Sequence, residues 1–348
     1  MGDPLGVGPE TLVKALADRD LRSSARFVIH GQAGVMHEAA ESADIEPFWW
    51  QAPAGSSAAE APLAHSVLLI DYDEFSGLAS MASRRSALHA RPTRLGGAAS
   101  HRFVAEAIID CRRPEGDPRK TSAIVTGPIS KEAWAKAGRK RYAGHTDLLQ
   151  AAFGARRTVM LFESPALRVA LATHHIPLMD LRNDLTIGRV FDPIDLGADA
   201  CREMGVASPR IGVCGMNPHA GEEGLLGDEE SRLITPAIRL ARQAGIDAHG
   251  PFPADTLFRR AAEGEFHLVV AIYHDQGLIP IKLLARDKAV NVTLGLPIVR
   301  TSPAHGTAFD IAGDNRANPE SMQRALALAV RLAANRLLES TQATQAAS

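Results

Sequence analysis

The sequence of 348 residues predicts an α/β protein in which a largely parallel sheet lies between layers of helices. Short apolar runs alternate with longer amphipathic segments, and this alternation is typical of parallel strands joined by helices. Apolar residues make up 45% of the chain, which is enough for a substantial core. The length allows two domains of ordinary size, and a cleft between two such domains is where we expect a ligand.

The apolar runs predict buried strands, and the segments between them predict helices. The predicted strands are residues 26–30, 66–72, 123–126, 159–162, 168–172, 210–215, 267–273 and 290–294. The clearest amphipathic segments are residues 98–112, 193–204 and 229–243. Residues 51–64 are rich in Ala, Pro, Gly and Ser, and this composition predicts a surface loop.

The composition excludes several classes of protein. The formal net charge is −2, so nothing indicates a nucleic-acid or membrane partner, and no stretch is long and apolar enough for a membrane span. The start, Met1-Gly-Asp-Pro-Leu5, has neither the basic region nor the apolar region of a secretory signal. Cys111, Cys201 and Cys214 are scattered and odd in number, which indicates small buried hydrophobes in a reducing compartment. We therefore expect a cytoplasmic protein.

Three segments each place histidine at the end of an apolar run: Ala172-Thr-His-His-Ile-Pro-Leu178, Asn217-Pro-His-Ala-Gly-Glu222 and Tyr273-His-Asp-Gln-Gly-Leu278. Three imidazoles from strand ends can meet at one point and hold a divalent metal with a position left open for substrate. The spacing is far too long for a zinc finger, so such a site would be catalytic. His174 and His175 would point to opposite sides of an extended chain, and the residues alone do not decide which is a ligand.

His219 and His274 are the stronger candidates, because each lies among turn residues at a predicted strand end. The alternative for any single histidine is a buried or surface imidazole with no ligand role. Asp275, beside His274, and Asp255 could orient a ligand or exchange a proton, although helix capping or a turn role explains either carboxylate equally well.

Lys282, Asn291 and Arg300 follow the third histidine at intervals. Together they offer a point charge, an amide and a planar fork, which suit a phosphate or carboxylate group. Taken one at a time, each is explained as readily by an ordinary surface position.

Glycine-containing turns open three helix-like segments. Gly144-His-Thr146 and Gly127-Pro-Ile-Ser-Lys131 both follow predicted strands, and His145 with Thr146 could bind an anion near helix amides. The alternative for Thr146 is simple N-capping. The opening turn, from Gly2 to Glu10, permits close approach of backbone to a ligand, or is only a tight loop before a helix.

These motifs together resemble one family. In chain order they are Gly2-Asp-Pro to Glu10, Gly127 to Lys131, Gly144 to Thr146, Thr173 to Pro177, Asn217 to Glu222, Pro253-Ala-Asp-Thr256, Tyr273 to Gly277 and Asn291 to Arg300. The series is similar to that of the 4-hydroxythreonine-4-phosphate dehydrogenases, the PdxA family, from the first residue to about residue 330. The opening turn is shared more loosely with isocitrate- and isopropylmalate-type dehydrogenases.

The resemblance implies a fold and a division of the chain. We expect two α/β/α domains of the isocitrate/isopropylmalate-dehydrogenase type with an interdomain cleft. The first domain would be discontinuous, from residues 1–120 plus 285–348, and residues 121–284 would form a metal-binding second domain. The family has a short hydrophobic strand before its Gly-Asp-Pro, where this chain has Met1, and we expect this difference to affect stability more than chemistry.

The resemblance also implies the site. The metal ligands would be His175, His219 and His274, so that His175 is favoured over His174. The substrate contacts would be His145, Thr146, Lys282, Asn291 and Arg300. The family forms homodimers in which the partner subunit completes each active site.

The implied reaction oxidises the 3-hydroxyl of 4-phosphooxy-L-threonine with NAD or NADP. Loss of carbon dioxide then gives 3-amino-2-oxopropyl phosphate for pyridoxal phosphate (vitamin B6) synthesis. One divalent ion, Zn²⁺, Mg²⁺, Mn²⁺ or Co²⁺, would act as a Lewis acid on the hydroxyl, because an alcohol donates hydride poorly until it is an alkoxide. Asp255 is the candidate acceptor of the hydroxyl proton.

Other functions stay open at this point. A related dehydrogenase acting on 4-phospho-D-threonate or 4-phospho-D-erythronate would carry the same motifs. A metal-dependent phosphohydrolase and a non-catalytic binding module are the alternatives from other classes. No G-x-G-x-x-G fingerprint follows a predicted strand, so a Rossmann-type NAD site is not supported and no cofactor-binding residue is assigned.

Overall fold

A computed structural model of the chain describes residues 1–60, 65–83 and 91–347. It confirms the predicted α/β class. The helices of the described residues are α1 (Gly8–Leu16), α2 (Arg19–Ser24), α3 (Ala33–Ser42), α4 (Ser57–Glu60), α5 (Gly77–Ser83), α6 (Arg94–Arg112), α7 (Lys131–Lys136), α8 (His145–Phe153), α9 (Leu181–Asp184), α10 (Ile187–Glu203), α11 (Thr235–Gln243), α12 (Ala254–Ala262), α13 (His274–Ala285) and α14 (Glu320–Ala347). The strands are β1 (Phe27–Gly31), β2 (Trp50–Pro53), β3 (Val67–Asp71), β4 (Ala123–Val125), β5 (Val159–Glu163), β6 (Arg168–Leu171), β7 (Arg210–Cys214), β8 (Asp247–Phe252), β9 (Leu268–Ala271), β10 (Val290–Leu294) and β11 (Val299–Pro303).

The contacts divide the chain into two compact units. Unit 1 consists of Met1–Gly154 and Ile298–Ala334, and unit 2 consists of Ala155–Pro297 and Asn335–Ser348. The domain boundaries expected near residues 120 and 284 stay a prediction.

Unit 1 contains a three-stranded parallel sheet in the order β1–β3–β2, and the parallel pair β4 and β11. The central strand β3 is buried along Val67–Ile70, as its continuous apolar run predicts. Leu12 and Leu16 of α1 pack with Leu69 and with Leu326 of α14 in one core cluster.

In unit 2, six neighbouring strands run in the order β10–β5–β6–β9–β7–β8. The strand β5 is antiparallel to both of its neighbours, whereas β6, β9, β7 and β8 are parallel. The four residues of β9 are completely buried, so β9 lies at the centre of the core. The carboxyl ends of β6, β9 and β7 therefore meet at one edge of the sheet, where α/β proteins bind ligands.

The loop predicted for residues 51–64 is wrong in its first part. The strand β2 pairs with β3 and encloses Ala52, and α4 buries Ala59. Alanine is small enough to be enclosed at both positions. Proline is tolerated at position 53, the last residue of β2, because no hydrogen bond between strands requires its missing N–H there. Residues 61–64 of that prediction lie outside the described residues.

The three cysteines are free and buried, as the sequence predicts. Burial raises the pKa of the Cys111 and Cys201 thiols to about 11. In the part of the chain that the structure describes, no helix has an apolar stretch of the length needed to cross a bilayer.

Candidate active site

Two of the predicted metal ligands lie side by side at the end of neighbouring strands. The strands β6 and β9 are paired in parallel with Leu171 opposite Ala271, and the Thr173 hydroxyl donates a hydrogen bond of 2.7 Å to the carbonyl of Ile272. The two chain segments therefore leave the sheet together, and the ring centroids of His175 and His274 are 5.8 Å apart.

The separation of these rings is close to what a shared metal ion requires. With Zn–N bonds of about 2.0–2.1 Å, two imidazoles on one tetrahedral ion have ring centroids about 5 Å apart. The observed 5.8 Å is therefore within about 1 Å of that arrangement, a shift that side-chain rotation can supply.

His274 has a carboxylate partner on its other ring nitrogen. Its Nδ1 lies 2.7 Å from Oδ1 of Asp275. With Nδ1–H donating to this carboxylate, the Nε2 lone pair is available to a metal, which is the usual arrangement for a ligating histidine. This hydrogen bond is the contact that Asp275 needs to orient His274, as the sequence suggests.

His175 departs from extended backbone, with φ of 54°. The expectation that His174 and His175 point to opposite sides is therefore wrong, since that expectation assumes an extended chain. Their rings lie 5.1 Å apart, edge to face.

The third predicted ligand, His219, lies on an irregular loop after β7. Five successive residues, His219 to Glu223, have positive φ, and four of them are not glycine. The left-handed conformation costs a non-glycine residue roughly 1–2 kcal/mol, so this loop must be held by its surroundings.

The carboxylate of Glu230 holds the start of this loop. Its Oε1 accepts hydrogen bonds from the backbone N–H of Met216 (2.8 Å) and of Asn217 (2.7 Å), and its Oε2 accepts one from Asn217 Nδ2 at 2.9 Å. Gly221 packs against the same carboxylate, because an added Cβ would lie 2.7 Å from Oε2. A buried glutamate therefore fixes the entry and the middle of the loop.

Glu229 binds the same asparagine from the other side. Its Oε2 accepts a second hydrogen bond from Asn217 Nδ2 at 2.8 Å, and its Oε1 lies 2.9 Å from Nε of Arg182. The hydrogen bond from Asn217, helped by the positive charge of Arg182, lowers the pKa of the Glu229 carboxyl. Glu229 is therefore ionised at neutral pH.

Gln276 links the His274 turn to the His219 loop. Its Oε1 accepts a hydrogen bond from the Ile272 N–H at 2.7 Å, and its Nε2 donates to the carbonyl of Gly215 at 2.8 Å. No role for Gln276, Glu229 or Glu230 is predicted from the sequence; the one signal there is that acidic or amide side chains recur beside the histidine motifs.

Within residues 1–60, 65–83 and 91–347, no three His, Cys, Asp or Glu side chains form a group that could hold a metal ion. The structure brings His175 and His274 together and places His219 on a separately held loop. The assignment of all three histidines to one metal stays a prediction.

In unit 1, the predicted anion ligand Arg300 affects the charge state of His145, another predicted anion ligand. Arg300 of β11 is buried and donates from Nη2 to the Thr126 hydroxyl at 2.7 Å. Burial lowers the pKa of Arg300 to about 10, so the guanidinium is still protonated at neutral pH. Burial and the charge of Arg300 together hold the pKa of His145 well below its usual value, so its imidazole is neutral. Trp134 contacts the His145 ring edge to face, at 5.5 Å.

Thr146 is the second residue of α8, whose N-cap is Gly144. The alternative that Thr146 is only an N-cap is therefore wrong. Its hydroxyl lies in the first turn, where unsatisfied backbone amides favour an anion.

The remaining predicted residues lie in unit 2. Lys282 is exposed on α13, and Asp255 is exposed in the first turn of α12. Asn291 lies on β10, and its Oδ1 is buried without a hydrogen-bond partner among the described residues. Such an acceptor fits a hydroxyl or ammonium donor of a ligand. The roles of Lys282 and Asp255 stay predictions.

His305, which follows β11 in unit 1, is a histidine that the sequence motifs do not indicate. Its Nδ1 lies 2.9 Å from the carbonyl of Gly306, and its Nε2 is buried with no hydrogen-bond partner in the described part of the chain. The backbone beside it meets the opening turn, since Val7 N–H donates to the carbonyl of Thr307 at 2.9 Å. Its strand-end position is the one signal for His305, but this signal is hidden in the sequence because β11 carries Arg300 and is not a continuous apolar run.

Known proteins resemble this chain over nearly its whole length. Residues 23–329 match the family described as "Pyridoxal phosphate biosynthetic protein PdxA". The 4-hydroxythreonine-4-phosphate dehydrogenase of Geobacter metallireducens is 42% identical over 340 residues, which cover 96% of this chain and 94% of that protein. The D-threonate 4-phosphate dehydrogenase of Cupriavidus necator is 39% identical and covers 97% of this chain and 96% of its own.

The fold agrees with these sequence matches. The crystal structure of 4-hydroxythreonine-4-phosphate dehydrogenase from Klebsiella pneumoniae superimposes with a TM-score of 0.78 at 37% identity, covering 96% of each chain. The family match, the relatives and the shared fold lead to one conclusion: the chain belongs to the PdxA family of dehydrogenases.

Proposed function

We propose that the protein oxidises the 3-hydroxyl of 4-phosphooxy-L-threonine with NAD or NADP in a metal-dependent reaction. The 3-keto acid then loses carbon dioxide, which gives 3-amino-2-oxopropyl phosphate for pyridoxal phosphate synthesis. The observation that carries the proposal is the pair His175 and His274 at the ends of β6 and β9, with Asp275 on the second ring nitrogen of His274.

The donor set fits a divalent metal. His175, His219 and His274 would hold the ion, and we expect Zn²⁺, with Mg²⁺, Mn²⁺ and Co²⁺ as alternatives, because neutral imidazoles leave the charge of the ion undiminished. When bound, the ion would supply Lewis-acid polarisation of the substrate hydroxyl. The Asp275 hydrogen bond supports this fit, since it holds His274 in the tautomer that a ligand needs.

The anion-binding residues suit a phosphorylated hydroxy acid. Arg300 offers a buried, charged fork, and the neutral His145 offers a hydrogen bond without a second charge. Thr146 adds a hydroxyl beside helix amides. These three residues would bind the phosphate or carboxylate group of the substrate.

Lys282 and Asn291 are the two further proposed substrate contacts. Lys282 would add a point charge, and the buried Oδ1 of Asn291 would accept a hydrogen bond from the substrate. Asp255 is our candidate for the group that takes the hydroxyl proton. The nicotinamide cofactor would accept the hydride.

Exposed apolar side chains support a homodimer. Each histidine segment of unit 2 is followed by large apolar residues in solvent: Leu178 and Met179 after His175, Leu225 and Leu226 after His219, and Ile279, Leu283 and Leu284 after His274. Met179 is 88% exposed and Leu225 is 83% exposed. Large apolar side chains exposed to this degree are typical of protein interfaces. We propose a cytoplasmic homodimer whose active sites are shared between subunits.

A phosphorylated sugar acid is the second candidate substrate. Relatives of similar identity, from Cupriavidus necator and Salmonella typhimurium, are named D-threonate 4-phosphate dehydrogenases. This substrate has a hydroxyl where phosphothreonine has an amine. The buried Asn291 Oδ1 could accept a hydrogen bond from either group, so a direct comparison of substrates is needed.

The test is NADH formation on 4-phosphooxy-L-threonine, 4-phospho-D-threonate and 4-phospho-D-erythronate, each with and without added divalent metal. We expect the highest kcat/KM on the threonine phosphate and loss of activity after chelation. A higher kcat/KM on one of the sugar-acid phosphates would identify the protein as a dehydrogenase of that substrate instead. Phosphate release without NADH would indicate a phosphohydrolase, and binding without either product would indicate a binding module.

A further inference from the structure

A chain of polar contacts in unit 2 runs from the surface to the His219 loop. Arg182 Nε lies 2.9 Å from Glu229 Oε1, Glu229 Oε2 accepts from Asn217 Nδ2 at 2.8 Å, and the same Nδ2 donates to Glu230 Oε2 at 2.9 Å. We call these four residues, Arg182, Asn217, Glu229 and Glu230, the Glu229 network.

The two ends of the network belong to different histidine segments. Arg182 lies on α9, shortly after His175, whereas Asn217 lies two residues before His219. Glu229 is the residue between them, and only 4% of it is exposed. The network therefore bridges two loops that the sheet edge alone does not connect.

We propose that Glu229 is a positioning residue that ties the segment after His175 to the loop that carries His219. The inference rests on the proposed function in one respect, that His219 is a ligand of the metal ion.

The bonding capacity of each group explains why Glu229 has this role. The Asn217 amide has two N–H donors, and one goes to each glutamate. Both carboxylate oxygens of Glu229 have a partner, Arg182 on one and Asn217 on the other. A neutral side chain of the same size, such as glutamine, has only one oxygen that can accept a hydrogen bond. A change from Glu229 to such a residue therefore breaks the contact with either Arg182 or Asn217.

Release of that end has a consequence because the loop is strained. Four non-glycine residues between His219 and Glu223 are left-handed, and each would relax if the loop were freed. Loss of one anchor should therefore increase the population of open loop conformations, in which His219 is displaced from its position relative to His175.

The test uses the full-length protein with three changes: Glu229→Gln, Arg182→Gln and the control Arg259→Gln. Arg259 pairs with Glu263 in unit 2, and its side chain is 68% exposed, the same fraction as that of Arg182. The first readout is amide hydrogen exchange over residues 176–182 and 215–226, measured on the purified protein and again after chelation. We expect exchange in the loop to rise by about tenfold in Glu229→Gln and less in Arg182→Gln, with no change in the control.

The second readout is affinity for Zn²⁺ in competition with a chromophoric chelator. We expect Glu229→Gln to bind Zn²⁺ about tenfold more weakly than the unmodified protein. Combining Glu229→Gln with Arg182→Gln should add little to this loss, whereas combining it with Arg259→Gln should give additive effects, because only the first pair shares a contact.

Unchanged exchange in Glu229→Gln would overturn the proposal, whatever the metal affinity. Faster exchange with unchanged Zn²⁺ affinity would overturn the positioning role and leave only a structural anchor. If the unmodified protein binds no divalent ion, the proposed function fails, and the exchange measurement alone then decides whether Glu229 couples the two segments.

Discussion

The rings of His175 and His274 lie 5.8 Å apart because Leu171 and Ala271, the last residues of β6 and β9, are paired in parallel register. Each histidine follows its strand by only a few residues, so the register of the sheet places the two imidazoles together. The position of this pair depends on the most deeply buried part of unit 2, where β9 is fully enclosed.

The first prediction concerns Asp275, whose carboxylate is hydrogen-bonded to His274. Asp275→Asn keeps the shape of the side chain but removes its charge, and we expect metal affinity to fall by roughly tenfold. The matched control is Asp247→Asn, since Asp247 also binds an exposed histidine, His249, at 2.6 Å. Metal titration of both variants is the measurement. Equal affinity in the two variants would contradict a role for Asp275 in orienting His274.

The second prediction concerns the dimer. If His175 and His274 of one chain share a site with His219 of the partner, mixing His219→Ala protein with His274→Ala protein should restore activity. A mixed dimer would then have one intact site and one site with both lesions. Random exchange gives up to about half mixed dimers, so a clear fraction of activity should return.

A second mixture provides the control for this experiment. His175→Ala mixed with His274→Ala should stay inactive, because these two rings lie together in one chain. Two results would contradict this arrangement: activity that returns in the second mixture, or activity that does not return in the first after proven subunit exchange. Either result would mean that the histidines are divided between the subunits in another way. A monomer by light scattering would exclude shared sites.

The third prediction concerns Arg300. Arg300→Lys keeps the charge but loses the planar fork and the Nη2 hydrogen bond to Thr126, so we expect KM to rise by roughly tenfold, or about 1.4 kcal/mol. The control is Arg324→Lys, which changes a half-buried arginine of unit 1 paired with Glu320 and should leave KM unchanged. An unaltered KM in Arg300→Lys would mean that the substrate anion does not contact this residue.

The fourth prediction concerns pH. Burial and the charge of Arg300 both disfavour the protonated imidazole of His145 and hold its pKa well below the usual value, so His145 should be neutral at neutral pH. NMR titration of the imidazole should show a midpoint below that of an ordinary histidine. In Arg300→Gln one of these causes is removed, and the pKa should move up. A midpoint at or above the usual histidine value in the unmodified protein would contradict this prediction.

Much of the fold follows from the sequence because buried parallel strands are continuous apolar runs. The runs at 168–172 and 267–273, for example, correspond to β6 and β9. Three strands were not predicted, namely β2, β8 and β11. The strand β8 contains Gly250 and Pro251 and is last in the strand order of unit 2, where proline is tolerated, and β11 carries a buried arginine, Arg300.

The histidines of the candidate site were predictable from their strand-end positions, but the groups that hold them were not. Glu230 and Gln276 bond to backbone atoms far away in the chain, Glu230 to Met216 and Gln276 to Gly215. A sequence pattern records neither the distance between such atoms nor the left-handed backbone at His175. Those features depend on tertiary contacts and become visible only in the folded chain.

The left-handed run after His219 also sets a limit on improving the heat resistance of this protein. Glu222 and Glu223 are exposed, and replacing either with glycine would relieve roughly 1–2 kcal/mol of backbone strain against an entropic cost of roughly 0.5–1 kcal/mol. Such variants should melt at a higher temperature. They would also make the loop that carries His219 more mobile, so turnover should fall as the melting temperature rises. Selection for stability alone would therefore favour glycine at Glu222 and Glu223, whereas selection for turnover alone would favour the present residues.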